Sequence, residues 1–259
     1  MKKMLDLVVV ENNQLSLNYC LLKLTTIDGL PLPEMQPGQF VEVHVADSHT
    51  TFLRRPISVN FIDKDKNELW LLIQMIGDGT RRMSLYQKGD KINLLLPLGN
   101  TFTLPEKKDA VVLLVGGGVG TAPMLYLGAQ LKEKGYNPVF LLGARSVQDL
   151  MQLEDFARYG KVFTTTEDGT HGERGYVTSH SCLLETPFDQ IYTCGPKPMM
   201  VAIAKYAHEN GIACQVSLEN TMACGFGVCL CCVENTKRGN VCVCTEGPVF
   251  NIEELKWIS

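Results

Sequence analysis

Apolar and polar residues alternate over short stretches through the first part of the chain. The alternation, broken by turn signals such as Asp28-Gly29 and Gly89-Asp90, predicts strands at 15–24, 39–45, 57–62, 68–76 and 91–96. A short helix is predicted to begin near Thr80. Closely spaced strands without long helical patterns are typical of a small antiparallel barrel. We therefore predict a β-barrel over residues 1–105.

After residue 105 the pattern changes to strands that alternate with helices. Apolar runs predict buried strands at 110–115, 139–142, 162–165 and 190–193, and helical patterns extend to about 134, over 147–158 and after 198. This order implies βαβ units around a parallel sheet. We therefore predict a doubly wound α/β domain over residues 106–212. Residues 213–259 are too few to bury a core of their own, so a metal centre or docking is expected to hold them.

Composition and charge narrow the class of protein. The chain of 259 residues is 45% hydrophobic and 20% charged, which excludes a disordered or fibrous protein. Its net charge of −4 comes without a basic stripe, so no nucleic-acid partner is expected. Glycines and Pro123 interrupt the uncharged stretch 110–131, which favours a strand, loop and helix over a membrane span. The N-terminal apolar run lacks a small-residue cleavage site, so we expect a cytoplasmic protein without membrane attachment.

Six of the ten cysteines fall between positions 224 and 244. In a reducing compartment such a group binds metal more often than it forms disulfides. The spacing C-x4-C-x2-C with a distant fourth cysteine is the plant-type [2Fe–2S] arrangement. Gly225 and Gly227 would let the backbone wrap closely around the sulfides. The predicted cluster ligands are Cys224, Cys229, Cys232 and Cys244.

A zinc site is the alternative for the same segment. It would use the Cys229-x2-Cys232 knuckle together with Cys242 and Cys244. Zinc sites usually consist of two short cysteine pairs, and a spacing of four residues with interior glycines is atypical of them. In the cluster interpretation Cys231 and Cys242 remain as thiols beside the ligands, without an assigned role.

Two loops predict a nucleotide site in the α/β domain. A glycine run follows the first buried strand and opens a helix, and a Cys-Gly-Pro turn follows the strand at 190–193. Glycines let the backbone approach a pyrophosphate, and a helix N-terminus supplies N–H donors. Both loops are expected at the carboxyl ends of parallel strands, which favours a nicotinamide nucleotide. The candidate contacts are Gly116, Gly117, Gly118, Gly120, Thr121, Cys194, Gly195 and Pro196.

The choice between NAD and NADP stays open at this level. The second strand of the α/β domain ends in Leu142-Gly143-Ala144-Arg145, with no acidic residue for a ribose 2′-hydroxyl. Arg145 would suit a 2′-phosphate, or it would simply face solvent where a helix begins.

Two further motifs predict a flavin site in the barrel. Arg54-Arg55-Pro56-Ile57-Ser58 is followed, about two dozen residues later, by Gly77-Asp78-Gly79-Thr80. A guanidinium beside a helix N-terminus suits a pyrophosphate, and Ser58 would hydrogen-bond a planar heterocycle. Taken alone, Arg54 and Arg55 would be an exposed basic pair.

Taken in order, RPIS, GDGT, GGGVGTAP, CGPKPM and the four-cysteine segment resemble the ferredoxin reductase superfamily. The elements MACG and CTEGPVF near the C-terminus resemble one branch, the electron-transfer subunits of NAD-dependent (class 1B) dihydroorotate dehydrogenase. The likeness covers nearly the whole chain and is most specific in the cysteine segment. Ile57 agrees with this branch, because the wider superfamily usually has tyrosine there. Gln74 departs from the pattern, because relatives often carry arginine at that position.

The resemblance implies three bound carriers, namely FAD, a [2Fe–2S] cluster at the four cysteines, and NAD as substrate nucleotide. The FAD contacts that it implies are Arg55, Pro56, Ile57, Ser58, Leu72, Ile73, Gln74, Gly79 and Thr80. It implies assembly with an FMN-containing dihydroorotate dehydrogenase catalytic subunit, as a heterotetramer of two of each chain. No catalytic residue for dihydroorotate is expected on this chain.

The implied activity is electron transfer in pyrimidine (UMP) biosynthesis, from the partner's FMN through the cluster and FAD to NAD+. One alternative is an NAD(P)H:ferredoxin oxidoreductase subunit with the same carriers. Another is a nucleotide-binding regulator without redox activity, in which a zinc ion holds the C-terminal segment together.

Overall fold

The computed structural model describes residues 2–258. Its strands are β1 (Lys3–Gln14), β2 (Tyr19–Thr26), β3 (Phe40–Val43), β4 (Arg55–Ser58), β5 (Phe61–Asp63), β6 (Glu68–Gln74), β7 (Lys91–Leu98), β8 (Val112–Gly117), β9 (Pro138–Ala144), β10 (Lys161–Thr166), β11 (Glu173–Arg174), β12 (Gln190–Cys194), β13 (Ala213–Ser217), β14 (Val233–Thr236), β15 (Gly239–Cys242) and β16 (Val249–Asn251). Its α-helices are α1 (Asp78–Met83), α2 (Ala122–Glu133), α3 (Leu153–Ala157), α4 (Cys182–Glu185), α5 (Lys197–Glu209) and α6 (Val243–Glu246).

The first sheet is antiparallel and has the strand order β4-β3-β7-β1-β2-β6-β5. Contact between β4 and β6 shows that the sheet curls into a barrel. Inward-facing side chains such as Leu22, Leu24 and Leu71 are completely buried and form its core. Strand β1 pairs with both β2 and β7, yet the sequence analysis did not predict it, because Asp6 interrupts its apolar run. The predicted strand at 57–62 is divided into β4 and β5.

The second sheet has the strand order β11-β10-β9-β8-β12-β13-β16. Its strands run parallel except for β16, which pairs antiparallel with β13. Both β13 and β16 come from the segment 213–259, and Val216 and Phe250 on them are 0% and 1% exposed. Part of this segment is therefore held by sheet pairing, which the sequence analysis did not predict. The predicted helix at 147–158 is broken by Gln152, whose φ of +56° lies in the left-handed region.

The stretch 110–131 contains β8, a 3₁₀ turn at Gly118–Thr121 and most of α2. Among residues 2–258, none of the helices is long and apolar enough to cross a membrane.

Contacts divide the described residues into two compact units. The first comprises residues 2–101, 220–234 and 242–248, and the second comprises 102–219, 235–241 and 249–258. The cysteine segment therefore belongs with the barrel in the first unit. The division at 105/106 and 212/213 stays a prediction about domains.

Candidate functional site

Strand β4 is itself the first flavin motif, and all its residues are half-buried. It lies at one end of the barrel sheet and pairs with β3, with Arg55 opposite Val43. Contact between β4 and β6 brings this motif near the other predicted strand contacts. Among those contacts Leu72 and Ile73 are 1% and 0% exposed, whereas Gln74 is half-buried. Gln74 is thus the β6 residue with surface available to a cofactor.

The second flavin motif opens α1, where Arg55 and Thr51 pack closely against Gly79. A Cβ atom at Gly79 would lie 2.9 Å from Arg55 Nε and 3.3 Å from Thr51 Oγ1. The Thr80 hydroxyl belongs to the turn itself, since it accepts backbone N–H bonds at 3.0 and 3.2 Å. A guanidinium edge beside a backbone without a side chain suits a phosphate group. These residues therefore fit the pyrophosphate of a flavin dinucleotide. Thr51 was missed by the sequence analysis, because no local pattern marks it.

The predicted cluster ligands lie in two pairs. The side chain of Cys224 interacts with that of Cys229, and the side chain of Cys232 interacts with those of Cys244 and Cys242. The backbone N–H of Cys244 also donates to Cys232 Sγ at 3.4 Å. Because a [2Fe–2S] cluster takes two protein ligands on each iron, two cysteine pairs fit this group.

Backbone N–H groups point at the sulfurs of both pairs. Gly227 N–H donates to Cys244 Sγ at 3.2 Å, which connects one pair to the other. The φ angles of Gly225 and Gly227 are +74° and +83°, in the region that favours glycine. The N–H donors to Cys224 Sγ are those of Phe226, Val228 and Cys229. Hydrogen bonds to sulfur stabilise thiolates and tune iron–sulfur centres.

The two pairs differ in how readily they ionise. Burial opposes ionisation of Cys224, but the N–H donors around it outweigh burial and lower its pKa to about 6. Burial and the adjacent Cys232 raise the pKa of Cys244 to about 12. Cysteines bind metals as thiolates. The lowered pKa of Cys224 favours its thiolate before a metal binds, whereas Cys244 loses its proton only when a metal binds to it.

The two remaining thiols of the segment lie beside these pairs. Cys231 is exposed, and Cys242 Sγ lies 4.0 Å from the Gly227 carbonyl oxygen. Within the described range 2–258, no group of three or more His, Cys, Asp or Glu side chains is arranged to hold a metal ion. In this part of the chain the structure therefore does not gather the four predicted cluster ligands, or the four cysteines of the zinc alternative, around one point.

The cluster loop packs directly on strand β3 of the barrel. A Cβ atom at Gly225 would lie 2.9 Å from Glu42 Cγ and 2.9 Å from Leu98 Cδ1. Both neighbouring side chains are 0% exposed. Glu42 also lies opposite Pro56 of the flavin motif in the β3–β4 ladder. Strand β3 therefore joins the flavin motif to the cluster loop inside one compact unit.

Glu42 is an unusual residue for this position. Both its carboxylate oxygens are buried without a hydrogen-bond partner. Burial raises the pKa of Glu42 to about 7, although Arg54 and Arg55 oppose the shift. The burial of Glu42 was not predicted, because a polar residue in an alternating strand normally faces solvent. Here Gly225 of the cysteine segment packs against its side chain.

The two nucleotide loops meet in the second unit. Strands β8 and β12 are neighbours, with Gly116 opposite Cys194. A Cβ atom at Gly117 would lie 2.5 Å from Met199 Sδ, and one at Gly120 would collide with the Cys194 carbonyl oxygen. Glycine is therefore required for the loops to approach each other at the carboxyl ends of the strands, where nucleotides bind in sheets of this kind.

The other predicted nucleotide contacts set the backbone conformation of the same two loops. Gly118 has a φ of +56°, and its carbonyl accepts a hydrogen bond from the Thr121 hydroxyl at 3.0 Å. Gly195 has a φ of +145°, and Pro196 directly precedes α5. Burial raises the pKa of the Cys194 thiol, which stays protonated.

Two acidic residues in the loop after β10, Glu167 and Asp168, lie beside the end of β9. Asp168 N–H donates to the Arg145 carbonyl at 3.2 Å, and Glu167 N–H donates to the Ala144 carbonyl at 3.1 Å. Hydrogen bonds from Thr170 lower the pKa of Asp168, which is therefore ionised. No acidic residue was predicted here from β9 alone, whereas the loop after the neighbouring strand supplies two.

Comparison with known proteins gives family matches to the cysteine segment and to the α/β region. The family model "Iron-sulfur cluster binding domain of dihydroorotate dehydrogenase B" matches residues 219–256, and "Oxidoreductase NAD-binding domain" matches residues 114–205. The Shouchella clausii protein named dihydroorotate dehydrogenase B (NAD(+)), electron transfer subunit, is 39% identical over 85% of this chain and 86% of its own length. The Fusobacterium nucleatum protein of the same name is 35% identical over 98% of this chain and 99% of its own.

A solved structure agrees with the fold. The NADH-dependent reduced ferredoxin-NADP oxidoreductase, studied for flavin-based electron bifurcation, superposes with a TM-score of 0.85 at 29% identity. The match covers 97% of this chain and 90% of that one. The predicted fold class, an antiparallel barrel with a parallel-sheet domain and a C-terminal iron–sulfur segment, is confirmed.

Proposed function

Because the chain belongs to the family of electron transfer subunits of dihydroorotate dehydrogenase B (NAD(+)), we propose that it carries electrons from the FMN of a catalytic partner, by way of a [2Fe–2S] cluster and FAD, to NAD+. It is an oxidoreductase component with an iron–sulfur cluster binding domain and an NAD-binding domain. A flavin is the carrier that exchanges two electrons with a nicotinamide and single electrons with an iron–sulfur cluster.

The observation that carries this proposal is the position of strand β3. One edge of β3 pairs with the flavin motif, and the side chain of Glu42 on the same strand lies against Gly225 of the cluster loop. The protein's part in electron transfer is to hold its carriers close together and away from water. A single strand between the two motifs serves that purpose, and the buried side chains of Glu42 and Leu98 exclude solvent from the contact.

We propose specific residues for each carrier. Arg55 and Gly79 hold the FAD pyrophosphate, with Pro56, Ile57, Ser58, Gln74 and Thr80 around the rest of the flavin and Leu72 and Ile73 behind it. Cys224 and Cys229 ligate one iron, and Cys232 and Cys244 ligate the other. The glycine loop of β8 and the Cys-Gly-Pro turn bind the nicotinamide nucleotide.

NAD is the proposed nucleotide. The loop that carries Glu167 and Asp168 bonds through its backbone to the end of β9 beside Arg145, and a carboxylate of this loop would accept from a ribose 2′-hydroxyl and repel a 2′-phosphate. The name of the Shouchella clausii relative specifies NAD(+) for that protein. The cytoplasm is the proposed location, because none of the ten cysteines forms a disulfide, as suits a reducing compartment.

The catalytic partner is proposed to dock on the exposed side of the cluster loop, as part of a heterotetramer of two of each chain. Three apolar side chains of this loop, Phe226, Val228 and Leu230, are 49%, 73% and 63% exposed. Apolar side chains grouped on a surface are typical of protein interfaces. Cys229, in the same loop, is itself exposed, so a partner here would approach a cluster ligand.

The experiment is reconstitution with an FMN-containing dihydroorotate dehydrogenase catalytic subunit. The pair is expected to co-purify and to reduce NAD+ with dihydroorotate, whereas neither chain does so alone. Val228→Asp should weaken the assembly, and Leu17→Asp, at a side chain that is 83% exposed on the β1–β2 turn, is the matched control. A chain that ignored this subunit and reduced a ferredoxin instead would favour the ferredoxin oxidoreductase alternative.

A further inference from the structure

Thr51 carries a buried hydroxyl that has no partner in the protein. The residue is 6% exposed, and Thr51 Oγ1 makes no hydrogen bond. Its backbone N–H donates to Ser48 Oγ at 3.0 Å, which fixes the residue in its turn. Most buried polar groups in proteins form hydrogen bonds, so a buried hydroxyl without one indicates a bound partner that is not part of the protein.

The Thr51 side chain lies against Gly79. From the point where a Cβ atom of Gly79 would lie, Arg55 Nε is 2.9 Å away, Thr51 Cγ2 is 3.0 Å away and Thr51 Oγ1 is 3.3 Å away. Arg55 Nη1 donates to the carbonyls of Leu53 and Arg54 at 3.2 Å, which holds the guanidinium in place. The Thr51 hydroxyl and the Arg55 guanidinium therefore lie next to each other against a backbone that carries no side chain.

The shared property of these two groups is that both can donate a hydrogen bond to the same anionic oxygen. A cation would be repelled by Arg55, and an apolar group would leave the hydroxyl unpaired. A phosphate oxygen satisfies both, and hydrogen bonds to charged oxygens are the strong ones.

We propose that Thr51 is a phosphate-binding residue, whose hydroxyl donates to a pyrophosphate oxygen of the flavin dinucleotide that Arg55 also binds. This rests on the proposed function, in which the flavin site is occupied by FAD. It adds a residue that lies outside both flavin motifs of the sequence.

The test uses Thr51→Val, which keeps the shape and removes the hydroxyl, and Thr51→Ser, which keeps the hydroxyl. The full chain, with its cluster intact and its flavin reversibly removed, is titrated with FAD and with riboflavin, which has no phosphate. We expect Thr51→Val to weaken FAD binding by about 10-fold or more and to leave riboflavin binding unchanged. Thr51→Ser should stay close to wild type. The melting temperature of flavin-free Thr51→Val should not fall, because the substitution removes an unpaired buried hydroxyl.

Unchanged FAD affinity in Thr51→Val would overturn the proposal. An equal loss of FAD and riboflavin binding would also overturn it, because that result would mean that Thr51 only shapes the site. A wild-type chain that bound no flavin would overturn the flavin site itself, a failure that the wild-type titration separates from any effect of the variants.

Discussion

The contact between the cluster loop and strand β3 is tested by adding one methyl group, in Gly225→Ala. The new Cβ atom would lie 2.9 Å from both Glu42 Cγ and Leu98 Cδ1, and neither side chain has exposed space into which to move. The φ of +74° adds about 1–2 kcal/mol for a residue with a side chain. Overpacking a closed contact adds about 1–3 kcal/mol more. The total loss of stability at the docked loop is therefore about 2–5 kcal/mol.

A matched control separates the two contributions. Gly29 has a φ of +72°, almost that of Gly225, but a Cβ atom there would have nothing within 4 Å. Gly29→Ala therefore reports backbone strain alone. The assays are iron content after purification and thermal unfolding followed by cluster absorbance. At about 2–4 °C per kcal/mol, Gly225→Ala should melt about 2–12 °C below Gly29→Ala, with less iron retained. Equal melting temperatures and equal iron content in the two variants would refute the packing of this loop on β3.

The remaining predictions concern the ligands, pH and the nucleotide loops. Cys244→Ala should lose the cluster, measured as iron and sulfide, while Cys242→Ala keeps it, because Cys244 Sγ accepts the Gly227 N–H, as a ligand thiolate would, whereas Cys242 Sγ faces the Gly227 carbonyl oxygen. Burial lowers the pKa of His180 in the folded protein below its usual value of 6.5. Below pH 6.5 the unfolded chain therefore binds a proton at His180 more readily than the folded protein does. Stability should fall as the pH drops below 6.5, and His180→Asn, which keeps an acceptor for the N–H of residue 182, should flatten the melting curve against pH. Gly120→Ala should force the nucleotide loops apart and abolish NADH binding by titration calorimetry, since its Cβ collides with the facing turn.

Each of these has its contradicting outcome. Equal iron in the two cysteine variants would remove Cys244 from the ligand set. A His180→Asn protein with the same acid sensitivity as wild type would place the responsible group elsewhere. NADH binding by Gly120→Ala at wild-type affinity would show that the two loops do not need their close approach.

Local chemistry was predictable from the sequence wherever a motif and its turn lie together. The glycine loop after β8 and the Cys-Gly-Pro turn after β12 could be placed at one edge, because the carboxyl ends of parallel strands share that edge. The spacing of the cysteines likewise predicted an iron–sulfur segment, which the family match confirms.

The features that escaped prediction depend on contacts between distant segments. Strand β1 lies inside the barrel sheet because β2 and β7 pair with its two edges. Its own alternation of apolar and polar residues is irregular. The buried side chain of Glu42 is in contact with Gly225, which is far away along the chain. Asp168 reaches Arg145 only through the register of neighbouring strands. No window of local sequence contains such information, because it arises from tertiary pairing.

The central claim is that the flavin and the cluster exchange electrons within this one chain. Anaerobic NADH titration of the purified chain, followed by visible absorption and low-temperature electron paramagnetic resonance, tests it directly. The account predicts about two irons per chain, bleaching of flavin bands and a signal of the reduced cluster that grows with NADH and is absent from flavin-free protein. A chain whose flavin is reduced by NADH while a dithionite-reducible cluster stays oxidised would contradict it.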